Sequence, residues 1–243
     1  MTINLYTFLY NEEHILPYFL KHYSQFVNKI VVYNNQSTDN SVQILNDWKE
    51  CKIEIREYNT DNHYDEQTLM DLKNNCWKGD DSDYVIVCDM DELLYHPNLG
   101  EFIKNRESVD YFTPIGYHMM GEEIPTDYTK QIYEIIKSGT PDNQYNKNVL
   151  FKRSNVIETN YSPGAHGSNF IGITNLINCA DDDLKLLHYK WLSPEYVADK
   201  HIHYGERRSQ DSINKKWGVH YSLTRDKILN DFNKLKEQST VIL

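Results

Sequence analysis

The chain has no apolar run approaching the ~20 residues that cross a bilayer, and its first apolar segment is broken by Asn11, Glu12 and Glu13. Neither a transmembrane segment nor a signal peptide is therefore expected. The expectation is a cytoplasmic protein whose membrane contact, if any, is peripheral. Cysteine is scarce: Cys51, Cys76, Cys88 and Cys179 show no C-x-x-C spacing. Free, reduced thiols account for them most simply. Positive charge is also in deficit, with 25 Lys and Arg against 36 Asp and Glu, a formal net charge of −11. Nucleic acid is excluded as a partner, because backbone phosphates demand net or local positive charge. A small anionic substrate held through a metal is not excluded. No linker rich in Pro, Gly or Ser divides the chain, and no internal repeat or low-complexity tract is present. One domain over residues 1–243 follows, long enough to bury a core.

What the sequence does contain is concentrated at one place. Tyr84-Val85-Ile86-Val87-Cys88 reads as a buried strand of a parallel sheet, and it stops at Asp89-Met90-Asp91-Glu92. Three carboxylates within four residues repel one another unless positive charge sits among them. A divalent cation supplies that charge, and oxygen ligands suit Mg²⁺ or Mn²⁺. Open α/β sheets bind ligands at the C-terminal ends of their parallel strands. The 19 tyrosines and four tryptophans suit sugar or nucleobase surfaces as well as core packing.

Strand and helix patterns alternate through the first half. Strands are expected at Ile3 to Leu9, Lys29 to Tyr33, Ile53 to Tyr58 and Tyr84 to Cys88. Asn11-Glu12-Glu13 is expected to open a helix with Ile15, Leu16, Phe19, Leu20 and Tyr23 on one face. Ser37 or Thr38 is expected to cap the helix carrying Val42, Leu45 and Trp48, with Asp39 in its first turn. Glu66 to Trp77 forms a third helix. Such alternation implies right-handed βαβ units. Beyond Glu92 the strands become mixed or antiparallel: Tyr111 to Met119, Val149 to Lys152, Ile171 to Ile177 and Leu184 to Trp191. Pro194 to Arg208 and Leu223 to Gln238 read as helices.

Asn11-Glu12-Glu13, then Val31 to Ser41 with Asn34-Asn35-Gln36-Ser37-Thr38-Asp39, then Val85 to Glu92, lie in the order and spacing of a known family. Together they resemble the GT-A glycosyltransferases of the family-2 type, in the NE…DNGSTD…DxDEF variety of bacterial surface-polysaccharide loci. The resemblance covers roughly the first 100 residues, and His188-Tyr189-Lys190 resembles a later segment of those proteins. It implies an α/β, Rossmann-like GT-A domain with a central, mainly parallel sheet, a small mixed or antiparallel second part and C-terminal helices. Residues 1–100 would bind the nucleotide-sugar and 101–243 the acceptor. The implied activity is metal-dependent transfer of a sugar from a nucleotide-diphospho-sugar to a hydroxyl of a glycan or glycolipid.

The resemblance also assigns roles. Asp91 would bind Mn²⁺ or Mg²⁺ directly, and Asp89 would reach the ribose or a metal-bound water. His188 is the expected third metal ligand. His166, in Ser162-Pro163-Gly164-Ala165-His166-Gly167, is the rival, here given a donor contact. Asn11, Glu12, Asn35 and Ser37 would face the nucleobase and ribose. Many relatives carry Asp near Asn34 and Asn35, and an amide is not a charged acceptor. Lys190, Arg207 and Arg208 are expected at the diphosphate, within a basic island from Lys200 to Lys216 that could close as a lid. Catalysis needs a carboxylate near the acceptor hydroxyl; Glu122 and Glu123 are the expected base, alongside Asp91, and Asp181-Asp182-Asp183 reads as a solvated turn. A metal-dependent phosphohydrolase or nucleotidyltransferase, or a silent nucleotide-sugar-binding module, would use the same carboxylates.

Overall fold

The computed structural model describes residues 1–243. Its centre is a set of parallel strands: β1 (Ile3–Leu9), β2 (Lys29–Asn34), β3 (Lys52–Glu57) and β4 (Tyr84–Val87). They lie in the order β4-β1-β2-β3, all parallel. Every residue of β1 and β4 is buried, as strands covered on both faces require. Alternate β1 side chains serve opposite layers: Ile3, Leu5 and Leu9 join one apolar cluster, Tyr6 and Phe8 another. The intervening helices are α1 (Leu16–Tyr23), α2 (Ser41–Asp47) and α3 (Glu66–Asn75).

The chain then runs through β5 (Glu92–Tyr95), α4 (Leu99–Lys104), β6 (Tyr111–Met120), α5 (Ile132–Ile135), β7 (Ser138–Pro141), β8 (Leu150–Lys152), β9 (Val156–Glu158), β10 (Ile171–Gly172) and β11 (Asn178–Trp191). Helices α6 (Pro194–Arg207), α7 (Gln210–Asn214) and α8 (Arg225–Gln238) follow, then β12 (Thr240–Val241). β8 lies antiparallel between β4 and β6, so the second half continues the sheet begun by the first. β11 pairs in parallel with β6 and antiparallel with β5. β9 and β10 form a separate antiparallel pair. The sequence expectation of an α/β fold with a mainly parallel centre, a small antiparallel sheet and C-terminal helices is met.

Several local expectations are corrected. α1 opens at Leu16 rather than beside Asn11, because Asn11 takes a left-handed conformation (φ 52°). Its side chain instead accepts from Thr38 N–H at 2.7 Å. Neither Ser37 nor Thr38 caps α2. Asp39 does that work, accepting from Ser41 N–H and from Glu13 N–H at 3.0 Å each. The stretch Ile171 to Ile177 is strand only at Ile171–Gly172. Asp181 to Asp183 lie inside β11, where the pairing register shifts between Ala180 and Lys185. A bulge accommodates the acidic run, and Asp181 pairs with Arg106 at 2.8 Å. Glu92, the last of the acidic residues after β4, begins a buried strand.

Candidate active site

A cavity of about 430 Å³ opens at the C-terminal ends of β1, β2 and β4. It is lined by Leu9 at the end of β1 and Tyr10 after it, Asn35 after β2, and Asp89 to Glu92 after β4. The turn after β4 is closed on itself: Glu92 N–H donates to Asp89 O, and Asp89 N–H donates to Glu92 Oε2, both at 3.1 Å. Tyr189 N–H binds Asp91 O at 2.7 Å, which ties β11 to the same turn. The β5–β11 register sets His188 opposite Glu92. His188 Nε2 thereby stands 3.6 Å from Asp91 Oδ2.

The positive charge that the three carboxylates require is present as lysine. Lys73 Nζ reaches Asp89 at 2.7 Å. Lys147 Nζ lies 2.5 Å from Glu92 Oε1 and 3.5 Å from Asp89. Lys200 Nζ contacts Glu12 at 2.7 Å and Asp91 at 3.4 Å. Burial would raise the Asp89 carboxyl, but Lys73 and Lys147 outweigh it and hold it below its usual range. Burial is likewise outweighed at Asp91, where Lys200 holds the carboxyl well below that range. Glu12 behaves differently: burial pushes it up to about 6, against the pull of Lys200. Burial also draws Lys190 down to about 7, although Asp91 opposes the shift.

The metal residues expected from sequence are not equivalent here. No three His, Cys, Asp or Glu side chains converge as a preformed set. Asp91 Oδ2 lies 3.6 Å from His188 Nε2 and 3.4 Å from one lysine, Lys200, whereas Asp89 is engaged by two lysines. Two protein ligands suit a hard cation that draws its remaining oxygens from water and substrate phosphates. Asp91 and His188 thus fit such an ion; Asp89 fits the role of a charge-balanced neighbour.

Of the other expected donor residues, Glu12, Asn35, His166, Lys190 and Arg207 line the cavity. Asn35 is occupied by Thr60, donating to Thr60 Oγ1 at 2.9 Å. His166 is drawn down to about 4, chiefly by burial and then by Lys147. The Arg207 guanidinium lies 3.3 Å from the centre of the Tyr10 ring, with Nε donating to Asn62 O at 2.8 Å. Asn11, Ser37 and Arg208 are not in the lining. Asn11 N–H donates to Ser37 Oγ at 3.1 Å, so the two brace adjacent turns. Arg208 donates to Gly218 O at 2.8 Å and holds the cavity-lining segment Lys216 to Tyr221. Gly218 has φ +65°, a turn that a side chain would strain.

Glu122 and Glu123 lie outside the cavity. Both are exposed, and Glu122 pairs with Lys236 at 2.9 Å. The sequence placed them on an acceptor-facing loop, but β6 ends at Met120 and turns them to the outer surface. Glu122→Gln and Glu123→Gln are accordingly expected to leave kcat/KM for the transfer that the sequence resemblance implies within about twofold. A loss of 10²-fold or more in a folded variant would restore either residue to the reaction.

Sequence reasoning missed Lys73, Lys147 and Tyr145, which also line the cavity. Lys73 did carry a signal. It falls on the helix preceding the acidic strand, among the apolar positions Leu69, Leu72 and Cys76. Tyr145 ends a single 3-10 turn, Asn143–Tyr145, and Lys147 follows it in irregular chain, so no periodicity reveals their position.

No protein-family model matches the chain, and no curated protein matches its sequence. Solved structures do match in shape. A crystal structure of S. aureus TarS superposes with TM-score 0.51 at 13% identity, over 96% of this chain and 43% of that one. This chain shares with that structure its mixed α/β fold. A structure of S. aureus TarS residues 1–349 matches with TM-score 0.47 and 14% identity, covering 96% of this chain and 70% of that one. The likeness carries the fold alone, and this chain spans less than half of the longer TarS. No helix is long and apolar enough to cross a membrane.

Proposed function

We propose that this protein is a metal-dependent glycosyltransferase, moving a sugar from a nucleotide-diphospho-sugar to a hydroxyl of a glycan or glycolipid in surface glycoconjugate synthesis. One observation carries the reading: in a glycosyltransferase-like fold, the D-x-D turn lines the cavity and brings Asp91 against His188. Mn²⁺ or Mg²⁺ held by these two residues would neutralise charge on the departing diphosphate. Lys190 would assist. It is buried, lies 5.1 Å above the Tyr221 ring and projects beside the cavity carboxylates. Lys73 and Lys147 compensate Asp89, and Asp91, beside His188 and Lys200, would be the carboxylate that meets the ion. Tyr58 offers an aromatic face at the β1–β3 end of the cavity, suited to a nucleobase, whereas the Tyr10 ring is taken up by Arg207.

The deciding experiment incubates the protein with a panel of nucleotide-sugars, Mn²⁺ and candidate acceptors, and identifies the products. Glycosylated acceptor plus nucleoside diphosphate is expected, with activity lost in EDTA and restored by excess Mn²⁺. Sugar phosphate plus nucleoside monophosphate would mark a phosphohydrolase and overturn the reading. A donor that binds the native state also raises Tm, which provides a screen for base and sugar.

A further inference from the structure

We propose that His118 and Asp142 are a positioning pair that fixes His188 as its Nδ1–H tautomer and keeps Nε2 bare towards Asp91. The proposal deepens the transferase reading and rests on it only for what His188 Nε2 binds.

The pair is built by topology. β6 and β11 run parallel with His118 and His188 in register, and their Nδ1 atoms are 3.1 Å apart. His118 Nε2 stands 2.9 Å from Asp142 Oδ2. Both imidazoles are buried. The loop bearing Asp142 is held firmly. Asp142 N–H donates to Gly116 O at 2.9 Å, and Asp142 Oδ1 accepts from Gln144 N–H at 2.9 Å. Gly116 N–H donates to Asn146 Oδ1 at 2.8 Å. A Cβ on Gly116 would meet the Tyr145 backbone at 2.3 Å, so glycine is what lets this loop close on β6. Once closed, the Tyr145 ring stacks on His188 at 4.1 Å and 20° and meets His118 edge-on at 4.6 Å.

Taking each buried imidazole as neutral, hydrogen-bond logic then gives the tautomers. An ionised carboxylate only accepts, and the bond from His118 holds Asp142 below its usual range. His118 must place its proton on Nε2. With one proton per ring, His118 Nδ1 is an acceptor and His188 Nδ1 must donate to it. His188 Nε2 is left with a lone pair aimed at the Asp91 carboxylate. Two acceptors facing one another are a mismatch in isolation and a matched pair around a cation. A ligating histidine held through its other nitrogen by such partners is a recurring way to fix metal geometry.

The test reads the tautomer directly, by long-range ¹H–¹⁵N correlation of the histidine rings in the full chain at neutral pH. Wild-type protein is expected to show His188 protonated at Nδ1 and bare at Nε2. In Asp142→Asn the Gln144 N–H claims the amide oxygen, so the NH₂ faces His118 and the relay reverses. His188 should then carry its proton on Nε2, and affinity for Mn²⁺ alone, by calorimetry, should fall about 10–100-fold. A wild-type His188 protonated at Nε2, or a variant with an unchanged tautomer, overturns the proposal. The wild-type spectrum decides even where the variant fails to fold. The proposed tautomer together with no Mn²⁺ binding by wild type would count against the transferase reading and leave the pair standing.

Discussion

Asp91→Ala is expected to lower sugar transfer by about 10³-fold or more while the protein stays folded. The two halves of that expectation have separate grounds. Loss of activity follows because Asp91 Oδ2 lies 3.6 Å from His188 Nε2, and deleting the carboxylate leaves one neutral ligand for the cation. Survival of the fold follows from the bonding around Asp91. Its backbone oxygen, not its side chain, receives Tyr189 N–H, so the tie from β11 to the turn persists. Lys200, relieved of Asp91, keeps Glu12 at 2.7 Å and is not stranded. Steady-state kcat/KM with saturating Mn²⁺, set beside a thermal melt, checks both halves. Full activity in a folded Asp91→Ala protein would remove the functional reading. A variant that is inactive because it has unfolded would contradict the packing argument instead.

The parallel core was legible because its signals are local and redundant. β1 falls on Ile3–Leu9, as the apolar run requires, and β4 on the run ending at the acidic turn. Apolar positions Leu16, Phe19, Leu20 and Tyr23 are all buried on α1, and Ile15 is buried just before it. Boundaries suffered where a side chain serves a partner distant in sequence. Asn11 resembles a helix start, but it is recruited to cross-brace Ser37 and Thr38, so the helix begins later. The Asp89, Asp91 and His188 constellation was visible as motif residues. Their counter-charges were not, because Lys73, Lys147 and Lys200 come from three separate segments. A charge-balance argument from sequence identifies the need for a cation near Asp89. It does not distinguish a metal from an ammonium. Glu122 and Glu123 illustrate the opposite failure. The sequence suggests an acceptor-facing loop there, whereas both side chains stand exposed beyond the end of β6 and outside the cavity.

Lys147→Met is expected to destabilise the fold by about 3–5 kcal/mol, the usual cost of leaving one member of a buried ion pair without its partner. Lys147 and Glu92 are nearly inaccessible, at 2% and 1% side-chain exposure, and 2.5 Å apart. Burial already raises the Glu92 carboxyl, and Lys147 is the principal group restraining that rise. Without the ammonium, Glu92 must either stay charged in a dry site or take a proton. Protonation weakens its acceptor bond to Asp89 N–H, which helps close the D-x-D turn. For a chain of this size the loss lowers Tm on the order of 10 °C. The double variant Lys147→Met/Glu92→Gln removes both charges and keeps an acceptor for Asp89 N–H, so most of the stability should return. Urea unfolding of the wild type, each single variant and the pair gives the coupling directly. Recovery of stability without recovery of transfer would mean that Lys147 also acts on the substrate, consistent with its place in the cavity wall. A single variant within 1 kcal/mol of wild type would show that Glu92 is readily neutralised and that the turn holds its shape without the ion pair.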